Sequence, residues 1–226
     1  IRKLETKQVL RSGGEALLHP NFFRYCEILR KESIRVSLLS TGLTLKKHAV
    51  QIVKNVHEVI ISLDGDEETH NIIRNIPDAF KKLKEGVQAI KSIDAGFRIT
   101  GRSVIHRLNF QSWPSIVDGA REIGLDQISF LPADVSSHAF NREILWNDAR
   151  QHEILLEKDD LPELKNIIDY LISNYKKEFI TGFIAEPVEK IQKIYSYYAA
   201  VYGLNDYPYK KCNAPWVSTV VEADGT

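Results

Sequence analysis

Glu58-Val59-Ile60-Ile61-Ser62-Leu63-Asp64-Gly65 decides how the rest of the chain is read. Glu58 to Leu63 has the composition of a strand, and Asp64-Gly65 is a turn that ends it. Before it, Leu45, Ala49, Ile52 and Val56 recur at helical spacing; after it, Phe80, Leu83, Val87 and Ile90 do the same. A strand set between two amphipathic helices is the repeating unit of a parallel α/β protein.

The alternation extends in both directions. Lys7 to Leu10 reads as a short buried strand, Ile34 to Leu39 as a second, Phe97 to Ile105 as a longer one and Gln127 to Leu131 as a fifth. A helix is expected from about Asn21 to Lys31, with Phe22, Cys26 and Leu29 on one face and Pro20 near its start. Ile116, Val117, Ala120 and Ile123 mark a helix stopping at Gly124. Asp160 is placed to N-cap a helix carrying Leu164, Ile167, Leu171 and Ile172, and a last helix runs from about Pro187 to Val201. The pattern predicts an α/β fold with right-handed crossovers and a parallel sheet, as an open barrel or a doubly wound sheet. Either arrangement puts a ligand site at the carboxyl ends of the strands.

Composition narrows the function classes. The 226 residues are 43% hydrophobic and 27% charged, ordinary for a globular chain. Thirty Lys plus Arg balance thirty Asp plus Glu, so no basic field recruits nucleic acid. No apolar run approaches the ~18 residues of a membrane span. Two distant cysteines, Cys26 and Cys212, make no disulfide framework, and a cytoplasmic protein is expected.

The residues after each strand carry the chemistry. Ser12-Gly13-Gly14-Glu15 follows the first: two glycines let backbone approach a ligand, and Glu15 offers a carboxylate suited to an ammonium group. Ser40-Thr41-Gly42 follows the second. Ser62 and Asp64 follow the third, on one side of the strand by alternation, with His70 and Arg74 beyond them. Arg74 is able to hold a carboxylate bidentately. His106 and Asn109 end the fourth. Read singly, each is as well explained by a turn or a solvated side chain. Cys26, Trp113, Trp146 and the Tyr195, Tyr197, Tyr198 cluster read as packing. No strand-end lysine or metal cluster suggests a Schiff-base or metal-dependent lyase.

Jointly, these strand ends resemble the radical S-adenosylmethionine (radical SAM) superfamily. Gly13-Gly14-Glu15 followed by Leu17-Leu18-His19-Pro20 is similar to the family's G-G-E-P-L-L element, with Ala16 in place of the usual Pro. Ser40-Thr41-Gly42 stands where Thr-Asn-Gly is frequent, and Ser62-Leu63-Asp64-Gly65 with His70 and Arg74 looks like S-L-D-G-x4-H-x3-R. The likeness spans about residues 7–180. It implies a partial (β/α)6 barrel of parallel strands without its first βα unit. Cys212-Asn213-Ala214-Pro215-Trp216, then Asp224-Gly225, looks like the entry to a SPASM or twitch extension. Residues 181–226 would then be a bridging helix and the start of that extension, with Cys212 a metal ligand of an auxiliary [4Fe–4S] cluster. Val217 to Glu222 is expected to be a strand leading to the Asp224-Gly225 turn.

The resemblance also implies roles. Gly13, Gly14 and Glu15 would hold the methionine amine of S-adenosylmethionine (SAM), with Ser40 and Thr41 beside them. Ser62 would contact the ribose, Arg74 the methionine carboxylate with Asp64 adjacent, and Leu131 would lie near the adenine. The family's C-x3-C-x2-C loop, which binds the catalytic [4Fe–4S] cluster, does not occur in this sequence, so the chain alone is expected to be inactive. The implied activity is reductive cleavage of SAM and hydrogen abstraction from a peptide or small metabolite, with an electron donor such as flavodoxin or ferredoxin. A degenerate barrel that only binds a peptide or partner is the alternative.

Overall fold

Five parallel strands form one sheet in the order in which the chain makes them. The computed structural model describes residues 5–135, 144–208 and 214–221. The strands are β1 (Gln8–Arg11), β2 (Arg35–Ser40), β3 (Glu58–Ser62), β4 (Arg98–Ile105) and β5 (Gln127–Pro132). Between and after them come α1 (Phe22–Lys31), α2 (Leu45–Asn55), α3 (Glu67–Arg74), α4 (Ala79–Ile93), α5 (Trp113–Ile123), α6 (Asp148–Ile154), α7 (Leu161–Asn174), α8 (Lys176–Thr181), α9 (Val188–Val201) and α10 (Ala214–Val217). A doubly wound sheet needs a point where strand order reverses, and this one has none. The helices keep the same sequence: α1 packs on α2, α2 on α4, α4 on α5 and α5 on α7. A parallel sheet with its helices in one continuous series is the wall of an open barrel.

Strand alternation divides the sheet into two faces. On β4, Ile99, Gly101, Ser103 and Ile105 are buried, while Thr100 and Arg102 are half-buried and Arg98 and Val104 exposed. β3 and β5 repeat this, burying Val59 and Ile61, then Ile128 and Phe130. The buried face packs on Leu45, Ile52, Leu83, Val87 and Trp113 of the helices in one apolar core. Each fully buried aliphatic side chain contributes about 1.5–3 kcal/mol, so this layer is the main source of stability. The half-exposed face is polar. At its amino-terminal end Glu58 accepts from Ser37 Oγ, from Gln8 Nε2 at 3.2 Å and from Arg35 Nη2 at 3.0 Å, with Arg98 at 3.7 Å. Burial alone would raise the Glu58 pKa; these donors outweigh it and hold the carboxyl below its ordinary range.

Several expectations need correction. β1 is not buried: Gln8 and Leu10 are exposed, because an edge strand has a neighbour on one side only. α3 was not among the expected helices. It has no apolar stripe, and it starts because Asp66 accepts from Thr69 N at 2.9 Å with Glu67 and Glu68 in the positive first turn. Asp160 does not cap α7 through its side chain, which turns back to accept from Glu157 N at 2.8 Å and closes the preceding turn. Val217 to Glu222 is not a strand over its described part. Ala214–Val217 is a helical turn, with Pro215 at a position that needs no N–H, and Ser218 to Val221 has no regular structure. Gly124 does end α5 in the left-handed conformation, at φ 88°. No helix of the described residues is long and apolar enough to cross a membrane.

The chain past β5 returns to the sheet. Ile184 bridges Ile128 in parallel, and α9 buries Ile191, Ile194 and Tyr198 against the same core. The Tyr198 hydroxyl accepts from Ala133 N at 3.0 Å and donates to Ile105 O, joining α9 to the ends of β4 and β5. Tyr198→Phe leaves both backbone groups buried without a partner. Urea unfolding should show a loss of about 1–3 kcal/mol; an unchanged midpoint would remove Tyr198 as the tie.

Candidate functional site

Parallel strands put all their carboxyl ends on one edge, so the segments after β1, β2, β3 and β4 share it. Gly13 and Gly14 follow β1 with φ of 92° and 52°, conformations that side chains rarely adopt, and a Cβ on either would meet nothing within 4 Å. The turn thus presents bare backbone to open space. Glu15 then caps a short 3-10 helix, Ala16–Leu18, by accepting from Leu17 N at 3.4 Å. Its carboxylate reaches the end of β2. Oε2 accepts from Thr41 N at 2.9 Å and Thr41 Oγ1 at 2.6 Å, and Ser40 Oγ lies 3.0 and 3.1 Å from the two oxygens. With Oε2 filled by Thr41, the one Ser40 proton goes to Oε1 beside Leu17 N, so four donors occupy the carboxylate and what Glu15 adds to this edge is its negative charge. The structure therefore unites Glu15, Ser40 and Thr41 in one cluster.

The end of β3 forms a second cluster. Asp64, 5% exposed, accepts from Arg74 Nε at 2.6 Å across α3. His70 is fully buried, and its Nδ1 accepts from the Asp64 backbone amide at 3.2 Å. The same Nδ1 lies 3.4 Å from Asp64 Oδ2, so the ring faces both the amide and the carboxylate of Asp64. Burial would raise the Asp64 pKa, but the His70 and Arg74 contacts outweigh it and hold the carboxyl below the usual aspartate range. Gly65 is required here: a Cβ would lie 2.4 Å from Thr69 Cβ. Asp64 takes Nε only, so both terminal nitrogens of Arg74, a quarter exposed, stay available.

Asn109, 1% exposed, accepts from His106 N at 2.8 Å and donates to Asp64 O and Val104 O, both at 3.0 Å. Both amide hydrogens are used and the side chain is buried, so it is a clamp between the ends of β3 and β4 rather than a ligand contact. His106, 9% exposed, accepts at Nδ1 from Leu108 N. Burial, with the nearby Arg74 charge, lowers its pKa despite Asp64, and it is neutral at pH 7. Ser62 and Leu131 both lie on the half-exposed face of the sheet, Ser62 at the end of β3 and Leu131 near the end of β5. Cys26 is buried in α1, its thiol pushed up to about 11 by burial. Among the described residues no group of His, Cys, Asp and Glu could hold a metal ion. Cys212 lies outside the described residues. Sequence reasoning missed the Asp64–Arg74 bond because α3 was not foreseen. The S-L-D-G, His70, Arg74 spacing was its only signal.

No protein-family model matches the chain. It is 28% identical over 116 residues to the AdoMet-dependent heme synthase of Methanosarcina barkeri, covering 50% of this chain and 33% of that protein. It is 23% identical over 165 residues to the antilisterial bacteriocin subtilosin biosynthesis protein AlbA of Bacillus subtilis, covering 70% of this chain and 36% of that one. The chain thus spans about a third of the length of these curated relatives. Among solved structures, anSMEcpe with bound AdoMet and Kp18Cys peptide superposes with a TM-score of 0.55 at 19% identity, over 78% of this chain and 48% of that one.

Asp64 links pH to stability. Its folded pKa is depressed, so its contribution is fully present above the unfolded value of about 3.8 and is lost as pH falls through the folded value. Asp64→Asn should cost about 1.5–3 kcal/mol at pH 7. The gap from wild type should narrow below pH 3.8 in urea unfolding. A gap of equal size at both pH values would show that charge is not what Asp64 contributes.

Proposed function

We propose that this chain belongs to the radical SAM superfamily, that the carboxyl edge of its sheet binds S-adenosylmethionine and that the intact protein uses it to abstract a hydrogen atom from a substrate. The observation that carries this reading is the pairing of two clusters on one sheet edge. Glu15 with Ser40 and Thr41 stands at one, and Asp64 with Arg74 at the other. Together they offer an anion for an ammonium group and a cation for a carboxylate, as an amino-acid ligand requires.

The residues fit the cofactor. Gly13 and Gly14 leave room beside the backbone for the methionine amine, with the negative charge of Glu15 next to it. Arg74, aimed through Nε by Asp64, gives its terminal nitrogens to the methionine carboxylate. Ser62 serves the ribose and Leu131 the adenine, both from the half-exposed face. Ser40, Thr41 and Asp64 are positioning residues, since their polar atoms are spent on Glu15 and Arg74. When bound, the cofactor supplies the radical chemistry; the protein orients it and keeps water away. The described residues do not fit an iron–sulfur cluster.

Residues 1–180 are proposed as the barrel and 181–226 as the start of an extension, with Cys212 an auxiliary-cluster ligand. A peptide substrate is favoured by the relatives' names: one makes a bacteriocin, and one solved neighbour holds a peptide. In the full-length protein, Glu15→Gln and Arg74→Gln should each weaken SAM binding at least about tenfold, the worth of one lost charged hydrogen bond. Calorimetric titration checks this, and undiminished binding in both variants would favour the non-catalytic binding module. Cys212→Ala should lower the iron content by about one cluster while leaving SAM binding intact.

A further inference from the structure

Arg102 stands apart from the other basic groups on the half-exposed face. Arg35 and Arg98 share Glu58 at its amino-terminal end, and Lys190 reaches Glu186 Oε1 at 3.3 Å beside β5. Arg102 lies on the same face as Arg98, two repeats of the pleat nearer the carboxyl edge with Thr100 between them. Its Nε is buried and has no hydrogen-bond partner, and among the described residues no carboxylate pairs with it. A guanidinium that has lost water at Nε without gaining an acceptor is held at a cost that an incoming anion would relieve.

The register shows what surrounds it. Ser62 is the partner of Arg102 on β3, and Ser129 its partner on β5. Adjacent strands lie about 5 Å apart, so two hydroxyls flank the guanidinium in one row across the sheet. Ser129 already donates to Glu186, which also accepts from Phe130 N at 2.9 Å and from Lys190. Glu186 is 4% exposed and is held by Ser129, Phe130 N and Lys190, with no bond to Arg102. Its negative charge one strand away does limit the ligand. A dianion such as phosphate would meet one free cation and a nearby carboxylate, whereas a monoanionic carboxylate fits the Nε edge of one guanidinium bidentately.

We infer that Arg102, flanked by Ser62 and Ser129, binds a carboxylate of the substrate on the half-exposed face of the sheet. The inference rests on the SAM reading in one respect only: Ser62 sets the distance between this carboxylate and the nucleoside. A peptide substrate would supply the group from a glutamate or aspartate side chain or from its carboxyl terminus.

The test uses the full-length protein labelled with [15N]arginine, with the Arg102 Nε–H signal assigned by its loss in Arg102→Lys. Acetyl-glutamate amide is the probe; acetyl-glutamine amide, inorganic phosphate and S-adenosylhomocysteine are titrated in parallel. Acetyl-glutamate amide should move the signal saturably and the glutamine isostere should not. Arg102→Gln should weaken the glutamate probe at least tenfold while leaving S-adenosylhomocysteine binding unchanged. A signal that moves with S-adenosylhomocysteine alone would make Arg102 a cofactor contact, and tighter binding of phosphate would refute the carboxylate assignment. No response to any probe would overturn the proposal outright. The wild-type titration needs no variant to fold. If S-adenosylhomocysteine fails to bind while the glutamate probe still moves Arg102, the cofactor reading falls and this one stands.

Discussion

The buried carboxylate of Asp64 is the constraint on which the carboxyl edge depends. Taking that charge out of water is costly, and only close donors offset it. Arg74 comes from the last turn of α3, so the bond fixes where that helix lies against β3. The backbone of the same residue does equal work. Its N–H goes to His70 and its C=O to Asn109, which also holds Val104 and His106. Three segments, the end of β3, helix α3 and the turn after β4, therefore converge on one residue. Moving any of them would orphan a polar group inside the protein.

Glu15 performs the equivalent task one strand pair away. It is a turn residue after β1, yet its oxygens accept from the residues that end β2. A parallel sheet cannot tie neighbouring strand ends with hairpins, because its connections leave by way of helices. Carboxylates reaching sideways to hydroxyls, amides and a guanidinium take over that role here. The same groups that rigidify the edge also serve a ligand, with negative charge at Glu15 and free donors at Arg74. Fixing the site and forming it are thus one set of interactions.

The strands, the major helices and the strand-end residues were legible because hydrophobic periodicity reports burial, and burial is what the barrel wall imposes. Legibility failed where local polar bonds, not apolar stripes, determine structure. α3 is polar on most of its surface and begins with the Asp66 cap; Asp66 and the acidic first turn were the signal that could have found it. Asn109 looked like a ligand contact because a polar residue at a strand end gives no sign of whether its bonds are internal. Asp160 faced two orphan amides, and the nearer turn took it. For α10 no β-sheet partner stands alongside among the described residues, and β-propensity without a partner does not make a strand.

The two ends of the half-exposed face follow opposite rules. At the amino-terminal end Glu58 collects Ser37, Gln8 and two arginines, and its charge is fully matched. Nothing is left over there for a ligand, so that end is scaffold. Toward the carboxyl end Arg102 Nε is buried without an acceptor, and both terminal nitrogens of Arg74 lie outside the Asp64 bond. A stable fold has no reason to bury a guanidinium nitrogen without an acceptor at one end of a face while both arginines at the other end reach a carboxylate. The asymmetry has a physical explanation if the missing negative charge arrives with what the protein binds. It also predicts direction: anionic groups are drawn along the face toward the strand ends, where Glu15 is the acid that meets a positive amine.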